Sequence, residues 1–216
     1  MGDGERFADR REAGERLAGL LEGYRGRAGL VVLGLPRGGV PVAAVIAERL
    51  DAPLDALVVR KLGLPWHPEL AMGALAAGGV RVLNDAVIRA YRVDEGELGE
   101  VTVREGAEVE RQEATFRPGR PRLDLAGRTA IVVDDGLATG ATARAAIEAA
   151  RALGAERVVL AAPVGDPEVA DGFKALVDDV VVAMTPPGFG AVGAYYADFS
   201  PVSDAEVVEV LAGSAP

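Results

Sequence analysis

The sequence contains no cysteine, and His67 is its single histidine. The absence of cysteine excludes a disulfide framework, a thiolate metal site and a cysteine nucleophile, and a lone histidine excludes a zinc site built from several imidazoles. Long apolar runs are also missing, since none approaches the roughly 20 residues of a membrane-spanning helix. The N-terminal stretch MGDGERFADRREAGERL is charged throughout and does not read as a signal peptide. We therefore expect a cytoplasmic protein without a membrane partner, and we give His67 no catalytic role.

Positive charge is scarce as well. The chain has 23 Lys and Arg against 33 Asp and Glu, for a formal net charge of −10. This excess of negative charge argues against a nucleic-acid partner, so any bound anion must be held locally. Aromatic residues make up only 5% of the chain and hydrophobic residues 50%, which suits a parallel sheet packed under helices. The 216 residues fit one sizeable domain, because single cores stop growing near about 250 to 300 residues.

Short apolar runs alternate with helical patterns along the chain. We predict buried strands at residues 30–35, 54–59, 129–133, 158–164 and 177–184. Helices are predicted from the N-terminus to about Gly23 or Gly26, and at 40–50, 94–112, 143–153 and 168–176. The apolar runs 72–76 and 80–83 flank a Gly-Gly pair at 78–79, which predicts an antiparallel hairpin. This alternation predicts an α/β fold with a doubly wound, mainly parallel sheet, whose ligand sites lie at the carboxyl ends of the strands.

The segment 130–142, AIVVDDGLATGAT, carries the strongest functional signal. An apolar strand ends in two carboxylates, Asp134 and Asp135, and a loop rich in glycine and threonine then leads into a helix. The glycines let backbone N–H groups converge on an anion, the helix N-terminus adds positive partial charge, and threonine hydroxyls can donate to phosphate oxygens. The carboxylates would repel phosphate, so they should face sugar hydroxyls, a developing cation or Mg²⁺. The segment therefore predicts a site for a phosphorylated sugar.

The same segment is also compatible with a purely structural role. The two Asp residues could cap the turn after a strand, with Gly and Thr serving the turn geometry. Neither competing phosphate motif fits, because the Walker pattern needs a lysine where Ala141 stands, and GLPRGG at 34–39 lacks the G-x-G-x-x-G spacing of dinucleotide sites.

The string VVDDGLATGAT resembles the signature with which type I phosphoribosyltransferases bind 5-phosphoribosyl 1-pyrophosphate (PRPP), and the likeness extends over roughly residues 30–182 by order of elements. The resemblance implies one domain over 1–216, with a core at about 28–184 and a small hood formed by the N-terminal helix and the tail 185–216. It implies that the catalytic pair Asp134 and Asp135 binds the ribose hydroxyls. The implied 5′-phosphate ligands are Gly136, Ala138, Thr139, Gly140, Ala141 and Thr142.

PRPP also carries a pyrophosphate, which requires a second anion site. Arg37, Gly38 and Gly39 follow the first strand and resemble the pyrophosphate loop of the family. Arg60 and Lys61, predicted at the carboxyl end of the second strand, resemble the basic residues that meet the same pyrophosphate. Taken alone, this basic pair would be an ordinary solvated strand end.

The remaining parts of the family's site are matched only loosely. A flexible loop that closes over the reacting carbon would fall at 104–120, although a charged, solvent-facing helix explains the same residues equally well. The candidates for stacking on a base are Phe189, Tyr195 and Tyr196, together with Phe199, and plain core packing of these aromatics is an equal alternative.

The reaction implied is transfer of the phosphoribosyl group of PRPP to a nitrogenous base or related small-molecule acceptor, with release of pyrophosphate. Mg²⁺ is the expected cofactor and would enter with PRPP, with Asp134 and Asp135 as candidate ligands. The motif strings also resemble a poorly characterised bacterial branch of the family that has no settled substrate. A PRPP-sensing regulator and a sugar-phosphate phosphatase using one Asp of the pair are the alternatives. The assembly state is left open, with a homodimer as one option.

Overall fold

The computed structural model of the protein describes residues 6–214. The predicted domain of residues 1–216 thus has two end segments, 1–5 and 215–216, that lie outside the described residues. Within 6–214, no helix combines the length and the apolar composition needed to cross a membrane.

Strands and helices alternate along most of the chain. The strands are β1 (Leu30–Gly34), β2 (Leu54–Ala56), β3 (Val59–Leu64), β4 (His67–Ala76), β5 (Val80–Leu83), β6 (Thr129–Val133), β7 (Arg157–Val164) and β8 (Asp179–Met184). The α-helices are α1 (Arg10–Leu20), α2 (Gly39–Leu50), α3 (Asp85–Tyr91), α4 (Glu95–Phe116), α5 (Ala141–Ala152), α6 (Pro167–Phe173) and α7 (Asp204–Ala212).

The main sheet contains five parallel strands in the order β2-β1-β6-β7-β8. Strands β1 and β6 are buried along their whole length, because helices cover both faces of the sheet. Alternate residues serve the two faces, with Val32 and Ile131 in the core under α1 and α2, and Leu33 and Val132 in the core under α5. These features confirm the predicted α/β fold with a doubly wound, mainly parallel sheet.

A separate antiparallel sheet holds β3, β4 and β5. The predicted hairpin is confirmed, since β4 pairs with β5 across a turn in which Gly78 and Gly79 both have φ near 79°. The prediction of one strand over 54–59 is wrong, because β2 ends at Ala56 and the chain then enters β3 of the other sheet. The apolar run continues through both strands, so the sequence shows no sign of the change of sheet.

Helix α4 covers residues 104–116 of the segment 104–120, for which a flexible loop and a charged helix are the two alternatives. It extends to Phe116, four residues beyond the predicted end at 112, and opens with a capping box in which Asp94 and Glu97 each accept a backbone N–H. The helix is therefore the correct alternative for 104–116, although it is not wholly solvent-facing, because Val101, Val109 and Phe116 form a buried stripe along it.

The segment after α4 is fixed by a buried ion pair. The Arg117 side chain is 3% exposed, and its Nε and Nη2 donate to Asp55 Oδ1 and Oδ2 at 2.9 and 3.0 Å. Arg117 also contacts Glu113 and donates from Nη2 to the Pro121 carbonyl at 2.8 Å. Arg120 donates to the Leu54 carbonyl at 3.0 Å. These arginines therefore hold the end of α4 against β2.

We expect Arg117→Met to lower the free energy of unfolding by about 3 to 5 kcal/mol, because it removes the two-pronged guanidinium partner of the partly buried Asp55 and leaves that carboxylate with the longer, 3.4 Å contact to Arg120. Urea denaturation measures this change. Arg104→Met, within α4, is the matched control, since the Arg104 side chain is 66% exposed and its pairing with Glu105 should contribute less than about 1 kcal/mol. Equal effects of the two substitutions would contradict a structural role for Arg117.

Candidate functional site

The order of strands reverses between β1 and β6, and the predicted phosphate loop follows β6. Because connections on the two sides of this point run to opposite faces of the sheet, the loops after β1 and β6 border one crevice at the carboxyl ends of the strands. Leu137 anchors the second loop at the end of β7, where its N–H donates to the Val164 carbonyl and its carbonyl accepts from Asp166 N–H, both at 2.9 Å. Ala138 and Thr139 remain exposed beside the crevice.

Helix α5 begins at the end of this loop. Gly140 precedes it with φ of 69°, a left-handed conformation that favours glycine, and no side chain caps the first turn. The early N–H groups of a helix have no intrahelical partner and carry positive partial charge, so they can bind an anion. Thr139 Oγ1 accepts weakly from Ala141 N–H at 3.4 Å, and Thr142 is exposed on the first turn. Gly136 lies against Val192 and Gly140 is buried against Phe173, so the exposed residues of the predicted 5′-phosphate loop are Ala138, Thr139 and Thr142.

The loop after β1 packs directly against the acid pair. A Cβ at Gly38 would overlap the Asp135 carboxylate, and one at Gly39 would overlap the Val133 carbonyl and approach the Asp134 backbone. Gly38 has φ of −63° and ψ of −30°, so its backbone conformation does not require glycine. Glycine is required at position 38 because any side chain there would overlap the Asp135 carboxylate. The structure therefore brings two of the predicted segments together, 37–39 and 134–135.

Arg37 lies at the outer side of the same loop. Its side chain is 53% exposed, and Nη1 is 3.6 Å from Oδ1 of Asp204 at the start of α7. The other oxygen of Asp204 is 3.6 Å from Nη1 of Arg111 on α4. The peptide bond between Pro36 and Arg37 is cis. Arg37 thus keeps an accessible guanidinium with a long, exposed ion pair.

Arg60 and Lys61 are not at the end of the second strand. Both lie inside β3, where they pair with Leu75 and Ala74 of β4, and successive side chains of a strand point to opposite faces. Arg60 faces α4, where it binds Glu105 at 2.9 Å. The expected placement as an adjacent basic pair at a strand end is wrong. Their role in pyrophosphate binding stays a prediction.

The two carboxylates of the pair occupy different environments. Asp134 is half-buried, and burial together with the negative charge of Asp135 raises its pKa to about 7. The Asp134 Oδ1 atom accepts from Asp135 N–H at 3.0 Å. Burial also raises the pKa of Asp135, while the guanidinium of Arg10 opposes that shift. Asp135 is therefore the carboxylate with a cation partner.

Arg10 is a residue of the site that sequence reasoning missed. Its Nη2 and Nε atoms lie 2.9 and 3.0 Å from Asp135 Oδ2, although it begins helix α1 more than a hundred residues earlier in the chain. Nothing in the run of charged residues around it distinguishes Arg10 from Arg11, which is 80% exposed. Only the path of the N-terminal segment, which pairs Phe7 with Tyr196, reveals the contact.

The aromatic tail divides into a buried and a half-buried part. Tyr196 is 3% exposed, packs between Phe7 and Phe199, and donates from its hydroxyl to the Asp135 carbonyl at 2.7 Å. Its ring is therefore covered in this structure. Phe189 and Tyr195 are half-buried and stack on each other with ring centres 5.5 Å apart. A role in base binding stays a prediction for all three candidate residues.

The acid pair has the donor set of a Mg²⁺ site that substrate oxygens would complete. Within residues 6–214 no group of three or more His, Asp or Glu side chains is arranged to hold a metal ion. Mg²⁺ commonly uses only one or two carboxylates and takes its other ligands from phosphates and water. Adjacent carboxylates at a strand end, beside the predicted phosphate loop, fit that requirement.

Comparisons with known proteins identify the family to which the chain is similar. The family model described as "Phosphoribosyl transferase domain" matches residues 9–182. A provisionally named phosphoribosyl transferase of Mycobacterium tuberculosis (strain H37Rv) is 52% identical over 205 residues, which are 95% of this chain and 46% of that protein. The chain therefore spans about half the length of this relative.

Two further similarities cover nearly whole proteins. An adenine phosphoribosyltransferase of Kineococcus radiotolerans is 33% identical over 186 residues, 79% of this chain and 92% of that protein. The crystal structure of TT1426 from Thermus thermophilus is 42% identical and covers 98% of this chain and 100% of its own, with a TM-score of 0.90. With a family match over most of its length and the crevice that this fold builds between β1 and β6, the chain belongs to the phosphoribosyltransferase family.

Proposed function

We propose that the protein transfers the 5-phosphoribosyl group of PRPP to a nitrogenous base or related small acceptor, releasing pyrophosphate. The observation that carries the proposal is the contact between Gly38 and Asp135. It brings the loop that carries the exposed Arg37 against the two carboxylates, and the helix N-terminus after Gly140 follows those carboxylates in the chain. PRPP likewise carries its pyrophosphate and its 5′-phosphate on either side of the ribose.

Each part of PRPP has a corresponding surface. The N–H groups and hydroxyls of residues 136–142 would bind the 5′-phosphate. Asp134 and Asp135 would accept hydrogen bonds from the ribose hydroxyls. Arg37 would bind the pyrophosphate, for which it must exchange its exposed, 3.6 Å pairing with Asp204. That pairing is weak because both side chains are solvated, so the exchange costs little.

In the proposed reaction a nitrogen of the acceptor forms a bond to C1 of the ribose as the bond from C1 to pyrophosphate breaks. Pyrophosphate leaves with the bonding electron pair, and the acceptor nitrogen loses its proton to solvent. Positive charge that develops on the sugar ring lies near the negative carboxylates, so catalysis consists of positioning and electrostatic stabilisation. No protein nucleophile is required.

Asp134 and Asp135 are the residues that would hold Mg²⁺ together with oxygens of PRPP. When bound there, the ion would neutralise charge on the pyrophosphate. The acceptor is proposed only as a class. The Kineococcus radiotolerans relative is an adenine phosphoribosyltransferase by name, which makes adenine the first acceptor to test.

The decisive assay measures pyrophosphate release from PRPP and Mg²⁺ across a panel of purine and pyrimidine bases. Release that depends on one base supports the transferase. Binding of PRPP by calorimetry without release for any base would instead support a PRPP-sensing regulator, and absence of binding would contradict both.

We expect the double substitution Asp134→Asn and Asp135→Asn to reduce turnover of PRPP by about 100-fold or more, because it removes the negative charge opposite the reacting sugar. The asparagines keep the shape of the side chains, so circular dichroism should show an unchanged fold. Asp171→Asn is the matched control, since this carboxylate is on the surface and paired only with Lys174 in the structure described. Normal turnover in the double variant would contradict the assignment of the pair.

Gly38→Ala tests the contact between the two loops. We expect a loss of about 10- to 100-fold in kcat/KM for PRPP, because the added methyl group displaces the Asp135 carboxylate from its position. Gly19→Ala is the control, since a Cβ there meets no atom within 4 Å and alanine favours the helix. Unchanged kinetics in Gly38→Ala would show that the close approach has no functional consequence.

A further inference from the structure

Arg10 is buried at a position where a surface helix would normally expose it. It is the first residue of α1, yet its side chain is only 12% exposed, whereas that of Arg11 beside it is 80% exposed. Arginine is rarely buried unless it is paired, so the burial indicates a specific contact. That contact is the carboxylate of Asp135.

Three contacts hold the guanidinium of Arg10 in one orientation. Its Nε and Nη2 atoms donate to Asp135 Oδ2, and its Nη1 atom donates to the Ser200 carbonyl at 2.8 Å. The guanidinium carbon lies 4.1 Å from the centre of the Phe199 ring, a cation–π distance. The arginine is therefore fixed by its own surroundings before any substrate binds.

Both bonds from Arg10 go to the same oxygen of Asp135. Gly38, in the loop after β1, packs against that oxygen, Oδ2. The hydroxyl of Tyr196 donates to the backbone carbonyl of Asp135. The carboxylate is thus restrained at the backbone and at Oδ2. Arg10 makes no bond to Oδ1, the second oxygen.

We propose that Arg10 is a positioning residue that orients Asp135 so that Oδ1 accepts a ribose hydroxyl, and that it thereby sets a preference for ribose over deoxyribose 5-phosphates. The inference rests on the proposed function, because it assumes that Asp135 meets the sugar. A hydrogen bond to a carboxylate is strong only when the oxygen is held at the correct distance and angle. Arg10 supplies that restraint from outside the phosphate loop.

The test compares calorimetric affinities for ribose 5-phosphate, 2-deoxyribose 5-phosphate, 3-deoxyribose 5-phosphate and inorganic phosphate. Wild-type protein should prefer ribose 5-phosphate over at least one deoxy sugar by about tenfold or more, the usual effect of losing a hydrogen bond to a charged group. In Arg10→Gln the ratio should fall towards one. Affinity for inorganic phosphate, which reports only on the phosphate loop, should stay within about twofold.

Arg11→Gln is the matched control and should keep the wild-type ratio of affinities for ribose and deoxyribose 5-phosphates. Among the described residues, Arg11 pairs only with Glu15, and both side chains are exposed. Arg10→Lys keeps the charge but lacks the fork of Nε and Nη2, so it should give an intermediate ratio and carries the test if Arg10→Gln does not fold.

The outcomes separate the two proposals. A wild-type protein with no preference for ribose 5-phosphate contradicts the proposed function of Asp134 and Asp135. A wild-type preference that persists unchanged in both Arg10 variants overturns the role of Arg10 alone. Loss of phosphate affinity in parallel with the sugar would show that Arg10 merely supports the fold.

Discussion

The parallel pairing of β1 with β6 is the contact on which the rest of the site depends. Five residues of one strand, Leu30–Gly34, pair in register with five of the other, Thr129–Val133, although almost a hundred residues separate them in the chain. The pairing ends where Leu35 N–H donates to the Val133 carbonyl at 2.9 Å, and the two loops diverge there. Both strands are fully buried, and a one-residue shift of register would move every side chain of a strand into the opposite core, which is packed around other residues, so it is strongly disfavoured. The core therefore sets the relative position of the loops.

This placement forces two carboxylates into a crowded environment. Asp134 and Asp135 lie half-buried at the end of β6, where desolvation opposes the ionisation of both and the charge of Asp135 further opposes that of Asp134. The loop after β1 meets Asp135 at Gly38, which has no side chain to crowd the carboxylate. Arg10 and Tyr196 reach the same residue, Asp135, from the two ends of the chain. The N-terminal helix and the tail are thus tied to the site as well as to the core.

Arginines serve different purposes in this acidic chain, and their partners distinguish them. Arg117 and Arg120 are held between Asp55 and backbone carbonyls, where they fix the segment after α4 to the main sheet. Arg37 keeps an exposed guanidinium near the crevice. A net charge of −10 does not prevent anion binding, because the local field at a loop is set by the groups within about 8 Å in physiological salt.

Sequence patterns determined most elements of the main sheet, the hairpin and the position of the predicted phosphate loop, because each depends on residues that are neighbours in the chain. Apolar periodicity marks the strands, the Gly-Gly pair marks the hairpin turn, and the order of acid, glycine and threonine marks the loop. They did not reveal that the run 54–64 splits between two sheets, that the helix predicted over 94–112 runs on to Phe116, or that Arg60 and Lys61 face opposite ways. Arg10 was equally hidden, since its environment is made by Asp135, Phe199 and Ser200. Contacts between distant residues depend on how elements pack, and identical local patterns are compatible with several packings. The sequence by itself thus identified the loop and its acid pair, and the tertiary structure decided which side chains surround those carboxylates.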